Sequence, residues 1–315
     1  MFSIKVLLAA LLPCCSIQAQ ALSGVPRLPV DQVPLVVRTP NQPLGTVSSV
    51  AADRNGVIYV LQRGDKADPV IAVDREGHVL RSWGKGMYSV PHSIRIDPAG
   101  SIWTVDAGNS VLLKFSAEGK KLQEIAVGEV APADKCAFPT LCGTTDVSFG
   151  PNGRLFISDG YGNARILEYT SEGKRVKVWG SPGSGPGQFQ IPHGIANDGK
   201  TLYVADRGNA RIQRFDLDGR YLGEWTHLGR PFALKMIGGA LWVAMMTIEQ
   251  AGQRSSPQRS SPWILKVDPA SGKVLGQVES PGPHSIDANE AEELFAGGCC
   301  GGSNPSGFSW FRPTH

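Results

Sequence analysis

The chain is written almost throughout in short runs that alternate apolar and polar residues, such as "SIRID", "LFISD", "LYVAD" and "RIQRF". Period two marks strands with one buried face, because successive side chains of a strand point to opposite sides. Each run stops at a Gly-containing turn ("PNG", "AEG", "LDG"), and thirty-eight glycines supply such turns. No stretch sustains the 3.6-residue period of an amphipathic helix. The pattern predicts an all-β protein.

The runs recur as a longer unit. From Pro91, Thr144 and Pro192 the chain repeats one order of elements. A short strand and a turn lead to a second strand ending in Asp (Asp106, Asp159, Asp206), with an Asn soon after (Asn109, Asn163, Asn209). A third strand closes on an aromatic (Phe115, Tyr169, Phe215), and a turn with Gly119, Gly173 or Gly219 opens a fourth. Weaker copies begin near Ser48, Phe232 and His284. Six copies of four strands, each of roughly 40–50 residues, predict a six-bladed β-propeller with four-stranded blades. The chain then divides into a leader at 1–21, an N-terminal segment at 22–44 and a propeller over 45–315. The segment 22–44 closes the last blade, with "PLVVRT" at 34–39 as the candidate strand. The in-register aspartates read as turn residues that bond backbone amides. The insertion at 247–262 reads as a flexible rim loop.

The leader places the protein outside the cytoplasm. Lys5, an apolar run from Val6 to Leu12 and a small-x-small site at Ala19-Gln20-Ala21 form a cleavable secretory signal, with cleavage after Ala21. We expect a secreted or periplasmic protein. A lipid anchor on Cys14 or Cys15 is the one membrane attachment to weigh, and Pro13 fits it poorly. After export Cys136, Cys142, Cys299 and Cys300 remain in an oxidising compartment. Cys136 and Cys142 can close a small loop, whereas a vicinal Cys299–Cys300 bridge would be strained, and the pairing stays open. The net charge of +3 is dispersed, with no basic face and no amphipathic helix, which excludes nucleic-acid and membrane-surface roles.

Candidate chemistry comes from histidine. "PHSI" at 91–94, "PHGI" at 192–195 and "PHSI" at 283–286 hold three of the chain's six histidines. His92, His193 and His284 fall at one position of repeats 2, 4 and 6, where repeats 1, 3 and 5 carry Ser48, Thr145 and Phe232. In a propeller the innermost strand of each blade lines the channel, so alternate blades aim their residues at the axis from ~120° apart. A lone histidine is more often a satisfied packing residue. A packing habit would recur in the odd repeats as well, and here it does not. Three converging imidazoles with a remaining open position form a catalytic rather than a structural metal site, and imidazole suits zinc among the common divalent ions.

Several longer strings carry a family resemblance: "RGD" at 63–65, "VLRSWGKGMYSVPHSI" at 79–94, "TDVSFGPNGRLFISDGYGNARI" at 145–166, and "GSGPGQFQIPHGI" with "LYVADRGNARIQRF" within 183–215. They resemble the NHL-repeat β-propellers. Residues 45–315 are similar to the peptidyl-α-hydroxyglycine α-amidating lyase domain, the second half of the peptidylglycine α-amidating enzyme. The resemblance covers the first four repeats well and the last two poorly. It implies zinc held by His92, His193 and His284, with Tyr161, Arg63 and Arg207 at the channel mouth as catalytic residues. It also implies cleavage of the C–N bond of a peptidyl or N-acyl α-hydroxyglycine to an amide and glyoxylate. A metal favours the alkoxide of the substrate hydroxyl. Tyr161, a phenol with an ordinary pKa of ~10, needs its anion stabilised to act as base. Arg207 suits a bidentate pair with a carboxylate; its bland reading is a salt bridge between blades.

The chain departs from that family at its end. Animal lyases place an Asp after the last ligand histidine, where it helps hold a calcium in the channel; here Ser285 stands there and Asp287 follows two residues on. Calcium is therefore doubtful on sequence grounds. Gly162 replaces the cysteine that stands beside the tyrosine in those enzymes. We expect a monomer acting on a small peptide or N-acyl hydroxyglycine (ureidoglycolate shares the reactive group), supplied by a separate hydroxylating enzyme. The alternative from another class is a non-catalytic NHL propeller serving as a protein- or ligand-binding scaffold. A lactonase-like calcium hydrolase ranks last, since channel carboxylates are not evident.

Overall fold

The computed structural model describes residues 24–39, 43–129, 134, 136, 141–246, 262–298 and 308–314. The leader, Cys299, Cys300 and nearly all of the 247–262 insertion lie outside the described residues. Six four-stranded antiparallel sheets follow one another along the chain. Their inner strands are Val47–Ala52, Pro91–Ile96, Asp146–Phe149, Pro192–Asn197, Arg230–Ile237 and Ser285–Ala288. Among the described residues helical geometry is confined to a 3-10 turn at Pro151–Gly153 and to Asp134. None is a helix long and apolar enough to cross a membrane.

Burial falls from the axis outward. The inner strands of blades 1 and 2 are buried along almost their whole length, whereas the outer strands Val79–Trp83 and Arg175–Trp179 are largely exposed. The core is divided among the gaps between blades, where two twisted sheets meet face to face. Trp103, Val105, Val147 and Ile157 fill the gap between blades 2 and 3. Ala205, Ile212, Leu234 and Val243 fill that between blades 4 and 5. Each gap buries apolar side chains from two repeats, so no single repeat is stable alone.

Ring closure differs in register from the sequence expectation. The fourth strand of blade 6 is Val30–Val33, antiparallel to Phe308–Pro313, with Val30 opposite Pro313 and Val33 opposite Trp310. Pro34 ends that ladder because it has no N–H to donate. The "PLVVRT" stretch instead runs on to blade 1. Leu35 and Val37 are buried against Val50, Ile58 and Trp310, and the Arg38 amide bonds the Gly77 carbonyl. The N-terminal segment thus closes blade 6 and then covers the seam with blade 1.

The repeated aspartates are structural, by two different means. Asp106 accepts from the backbone amides of Ser89, Val90 and Gly108 at 2.7–3.0 Å. Asp159 accepts instead from Asn163 Nδ2 and Arg165 Nε, at 3.0 and 2.8 Å. Asp206 does both, taking the Gln190 amide, Asn209 Nδ2 and Arg211 Nε at 2.7–2.8 Å. The "NARI" strings are therefore the clasp of a loop, whose Ala164 and Ala210 adopt positive φ of 49° and 52°.

A layer of charge lies on the axis. Arg95 of blade 2 is buried at 7% exposure and pairs with buried Asp146 of blade 3 through Nε (2.8 Å) and Nη2. Its guanidinium also donates to the carbonyls of Ile286 in blade 6 (2.9 Å) and Leu234 in blade 5 (3.2 Å). Asp146 further accepts from Ser93 Oγ and the Ile195 amide of blade 4. Lys235 of blade 5 pairs with buried Asp287, which also takes the Ala52 amide of blade 1. Together these bonds touch all six blades.

Spacing between blades explains why one repeat reads "PHGI" and not "PHSI". A Cβ on Gly194 would lie 2.7 Å from the Ala233 Cα and 2.8 Å from the Phe232 carbonyl oxygen, backbone that cannot move without shifting blade 5. We expect Gly194→Ser to destabilise the fold by about 1–3 kcal/mol, the usual cost of overpacking. Thermal unfolding checks this, and a wild-type melting temperature would refute the close approach. Asp146→Ala leaves a buried guanidinium uncompensated, and we expect a loss of about 3–5 kcal/mol in chemical denaturation.

Candidate metal centre

The inner strands of blades 1, 2, 4 and 5 carry a one-residue irregularity at the position that faces the axis. In blade 2, Pro91 pairs with Asp106 and Ser93 with Val105, so His92 is the extra residue of a β-bulge. The same shift falls at Ser48 in blade 1, Phe232 in blade 5 and the His193-Gly194 step in blade 4. A bulge re-aims its side chain and takes its own peptide out of the regular ladder. Both consequences are used. In blades 2 and 4 the histidine turns to the axis. In blades 1 and 5 the bulged residue offers its carbonyl to the preceding blade.

Those carbonyls fix the histidines. His92 Nδ1 lies 2.7 Å from the Thr145 carbonyl, His193 Nδ1 2.7 Å from that of Phe232, and His284 Nδ1 3.0 Å from that of Ser48. A carbonyl oxygen only accepts, so each Nδ1 carries the proton and each Nε2 is left with a lone pair. Ser48, Thr145 and Phe232 are the residues at the ring position of repeats 1, 3 and 5. An imidazole tied this way through one nitrogen presents the other to a metal in the standard manner.

The three rings meet on the axis. Their centroids are 4.8–4.9 Å apart, all three are at most 3% exposed, and one ring nitrogen from each lies within 4.8 Å of the others. Burial holds each imidazole neutral, well below its ordinary titration range and for His284 down to about 3. Repulsion from its neighbours His284 and Arg63 acts in the same direction on His92, as do His284 and His92 on His193.

Tyr161 completes the cluster. It follows the second strand of blade 3, and its hydroxyl sits 2.9 Å from both His92 Nε2 and His193 Nε2. Gly160 permits this approach: a Cβ there would fall 1.9 Å from the Pro192 carbonyl oxygen. The Tyr161 amide bonds the Gly143 carbonyl, next to Cys142, and Cys142 is disulfide-bonded to Cys136. This disulfide, one of the pairings the sequence left open, therefore braces the segment that carries the tyrosine.

Two arginines stand beside the histidines without a carboxylate partner among the described contacts. Arg63 is anchored by Nε to the Pro91 carbonyl at 2.9 Å, while its buried Nη2 has no hydrogen-bond partner among the described residues. Arg207 lies over the Phe232 ring, 4.4 Å from its centroid, rather than in a salt bridge between blades. The same Phe232 ring packs edge-on against His193 at 5.7 Å. All six residues singled out in the sequence thus converge. What the sequence reading missed is Phe232, which orients His193 through its carbonyl and supports Arg207 through its ring.

The donor set fits a metal ion. His92, His193, His284 and Tyr161 bring three lone pairs and one phenolic oxygen together with a single hydroxyl proton among them. That proton can satisfy one imidazole at a time, and a buried lone pair left without a partner is costly. A cation bound by three neutral imidazoles resolves the conflict, with no acidic ligand required.

Comparisons with known proteins agree with this architecture. A six-bladed β-propeller family model matches residues 146–231. The chain is 32% identical over 235 residues to mouse peptidyl-glycine alpha-amidating monooxygenase, covering 63% of this chain and 24% of that protein. It therefore spans about a quarter of that relative's length. It is 26% identical to a probable peptidyl-alpha-hydroxyglycine alpha-amidating lyase of Caenorhabditis elegans, covering 62% of this chain and 65% of that one. Against mouse NHL repeat-containing protein 3 it is 31% identical over 268 residues, covering 73% of this chain and 76% of that one. A streptogramin B lyase structure superposes with a TM-score of 0.59 at 14% identity, over 90% of this chain and 97% of that one, a likeness of fold alone. With six four-stranded blades and this extent of identity, the chain belongs to the NHL-repeat family of six-bladed β-propellers and is homologous to the lyase domains of peptidylglycine α-amidating enzymes.

Proposed function

We propose that this protein is an exported, zinc-dependent carbon–nitrogen lyase that converts a peptidyl or N-acyl α-hydroxyglycine into a primary amide and glyoxylate. The observation that carries the reading is the convergence of three Nδ1-tethered histidines with Tyr161, Arg63 and Arg207. The lyase name of the Caenorhabditis elegans relative points to the same chemistry. Exported location rests on the leader in the sequence and accords with the Cys136–Cys142 disulfide.

His92, His193 and His284 would hold the ion through Nε2. When bound, zinc supplies a Lewis acid that lowers the cost of an alkoxide at the substrate hydroxyl. The residues of the chain do the rest. Arg207, held by the Phe232 face, pairs with the substrate carboxylate and sets the hydroxyl-bearing carbon over the site. Tyr161, as a phenolate stabilised by the nearby guanidinium of Arg63, takes the hydroxyl proton. As the C–O bond gains double-bond character the C–N bond breaks. The amide nitrogen takes that proton back from Tyr161 to leave as R–CO–NH₂, glyoxylate remains, and Tyr161 is again a phenolate. A second reading, a scaffold without catalysis, is favoured by the extended identity to NHL repeat-containing protein 3.

Metal analysis separates the two. The lyase reading expects about one zinc per chain, removed by chelation and absent when His92, His193 and His284 are changed to alanine, with the fold retained by circular dichroism. A well-folded wild-type protein that takes up no zinc leaves the scaffold. Glyoxylate release from α-hydroxyhippurate tests the chemistry. Tyr161→Phe is expected to lower kcat by about 10²–10⁴, the usual range for losing a general base, at unchanged zinc content. Full activity in that variant removes Tyr161 as the base.

A further inference from the structure

The family resemblance raises a second ion, a calcium in the channel, and the residues of this chain do not fit one. Calcium takes six to eight oxygen ligands, chiefly carboxylates, carbonyls and waters. The oxygens of that kind below the histidines are already engaged. Asp146, the Ile286 carbonyl and the Leu234 carbonyl all accept from Arg95. Asp287 lies two residues beyond Ser285 on the same face of its strand, where it could have substituted for the missing acid. It is committed to Lys235 and the Ala52 amide.

We propose that the Arg95 guanidinium is the resident axial cation of this propeller: it joins the blades as a bound calcium would, leaving the histidines as the metal site on the axis among the described residues. Arg95 reaches carboxylate and carbonyl oxygens of blades 3, 5 and 6 from blade 2, the ligand chemistry and the bridging geometry of a structural ion. Charge balance points the same way. Arg95 and Lys235 are matched by Asp146 and Asp287, so the layer is neutral as built. A divalent ion added there would be buried without compensation, a large penalty in a dehydrated interior.

The space agrees with the charge. Between the histidines and Arg95 lies a cavity of about 10 Å³ lined by Ser49, Ser93, Asp146 and Ser285, room for one water. The Ser285 hydroxyl, in a residue 6% exposed, has no partner among the described atoms and supplies a site for that water. Arg95 also lines a second cavity of about 210 Å³, whose other walls (Asp97, Asn197, Lys235) lie further from the histidines. The guanidinium therefore partitions the channel. Solvent on that side is separated from the histidines by a side chain rather than by a removable ion.

The test is calcium dependence of stability and calcium content, which need no activity. Purified protein is equilibrated with millimolar calcium chloride, dialysed, and analysed for bound calcium and zinc; melts are then recorded with calcium and with EGTA. We expect no retained calcium and melting temperatures equal within about 1 °C. One calcium per chain, or a clear loss of stability in EGTA, overturns the proposal. Zinc in the same samples reports on the histidines separately, so this inference and the lyase reading fail independently. Arg95→Met frees the carboxylate and the two carbonyls, and we expect calcium to raise its melting temperature by at least ~3 °C. A folded Arg95→Met protein indifferent to calcium contradicts the substitution of side chain for ion. Should that variant not fold, the wild-type calcium content decides alone.

Discussion

The site depends on a one-residue bulge placed where the inner strands of blades 1, 2, 4 and 5 pass the axis. In a regular strand every peptide is committed to its own sheet, and a side chain at that position would stand flat against a neighbouring blade. The bulge turns the side chain inward and frees a carbonyl across the gap between blades. Blades 2 and 4 use the first effect to present an imidazole, and blades 1 and 5 the second to hold one; His284 and Thr145 stand just before the inner strands of blades 6 and 3 and play the same two parts. The bond from His284 to the Ser48 carbonyl joins the last blade to the first, so the same device that orients ligands also ties the ring.

Neutral ligands follow from this arrangement. Each imidazole is dehydrated, its Nδ1 proton is given to a backbone oxygen, and two guanidinium groups stand nearby. Protonation at Nε2 is opposed from every side, so the lone pairs are available at any ordinary pH. Cationic arginines beside neutral ligands are a suitable surround for a substrate with a carboxylate and for an anion that develops next to it. Deeper along the axis the logic reverses. There charge is matched internally, Arg95 with Asp146 and Lys235 with Asp287, and the layer is closed.

Much of this was legible because a propeller converts sequence spacing into angle. Identical context at His92, His193 and His284, with its absence in the odd repeats, was enough to predict three rings around one point. Tyr161, Arg63 and Arg207 were legible through the family resemblance of the strings that carry them, and each follows a second strand. The carbonyl tethers were not, since a backbone oxygen has no residue type to betray it and a bulge leaves no composition signal. Nor was the axial layer, although a trace of it exists. Arg95, Lys235 and Asp287 all stand three residues after the ring position, charged where a buried strand should be apolar. The closing strand was misplaced by four residues, 30 against 34, because "PLVVRT" is the more apolar stretch; Pro34, which ends the ladder, was the overlooked sign.

The central claim is that three blades deliver three Nε2 atoms to one ion while the intervening three hold the Nδ1 protons. A crystal structure of zinc-loaded protein, with anomalous data at the zinc edge, addresses it directly. The account predicts one anomalous peak on the axis, ~2.0–2.1 Å from Nε2 of His92, His193 and His284, with every Nδ1 still on its carbonyl. Zinc bound through Nδ1, at other residues, or with fewer than three of these histidines would contradict it.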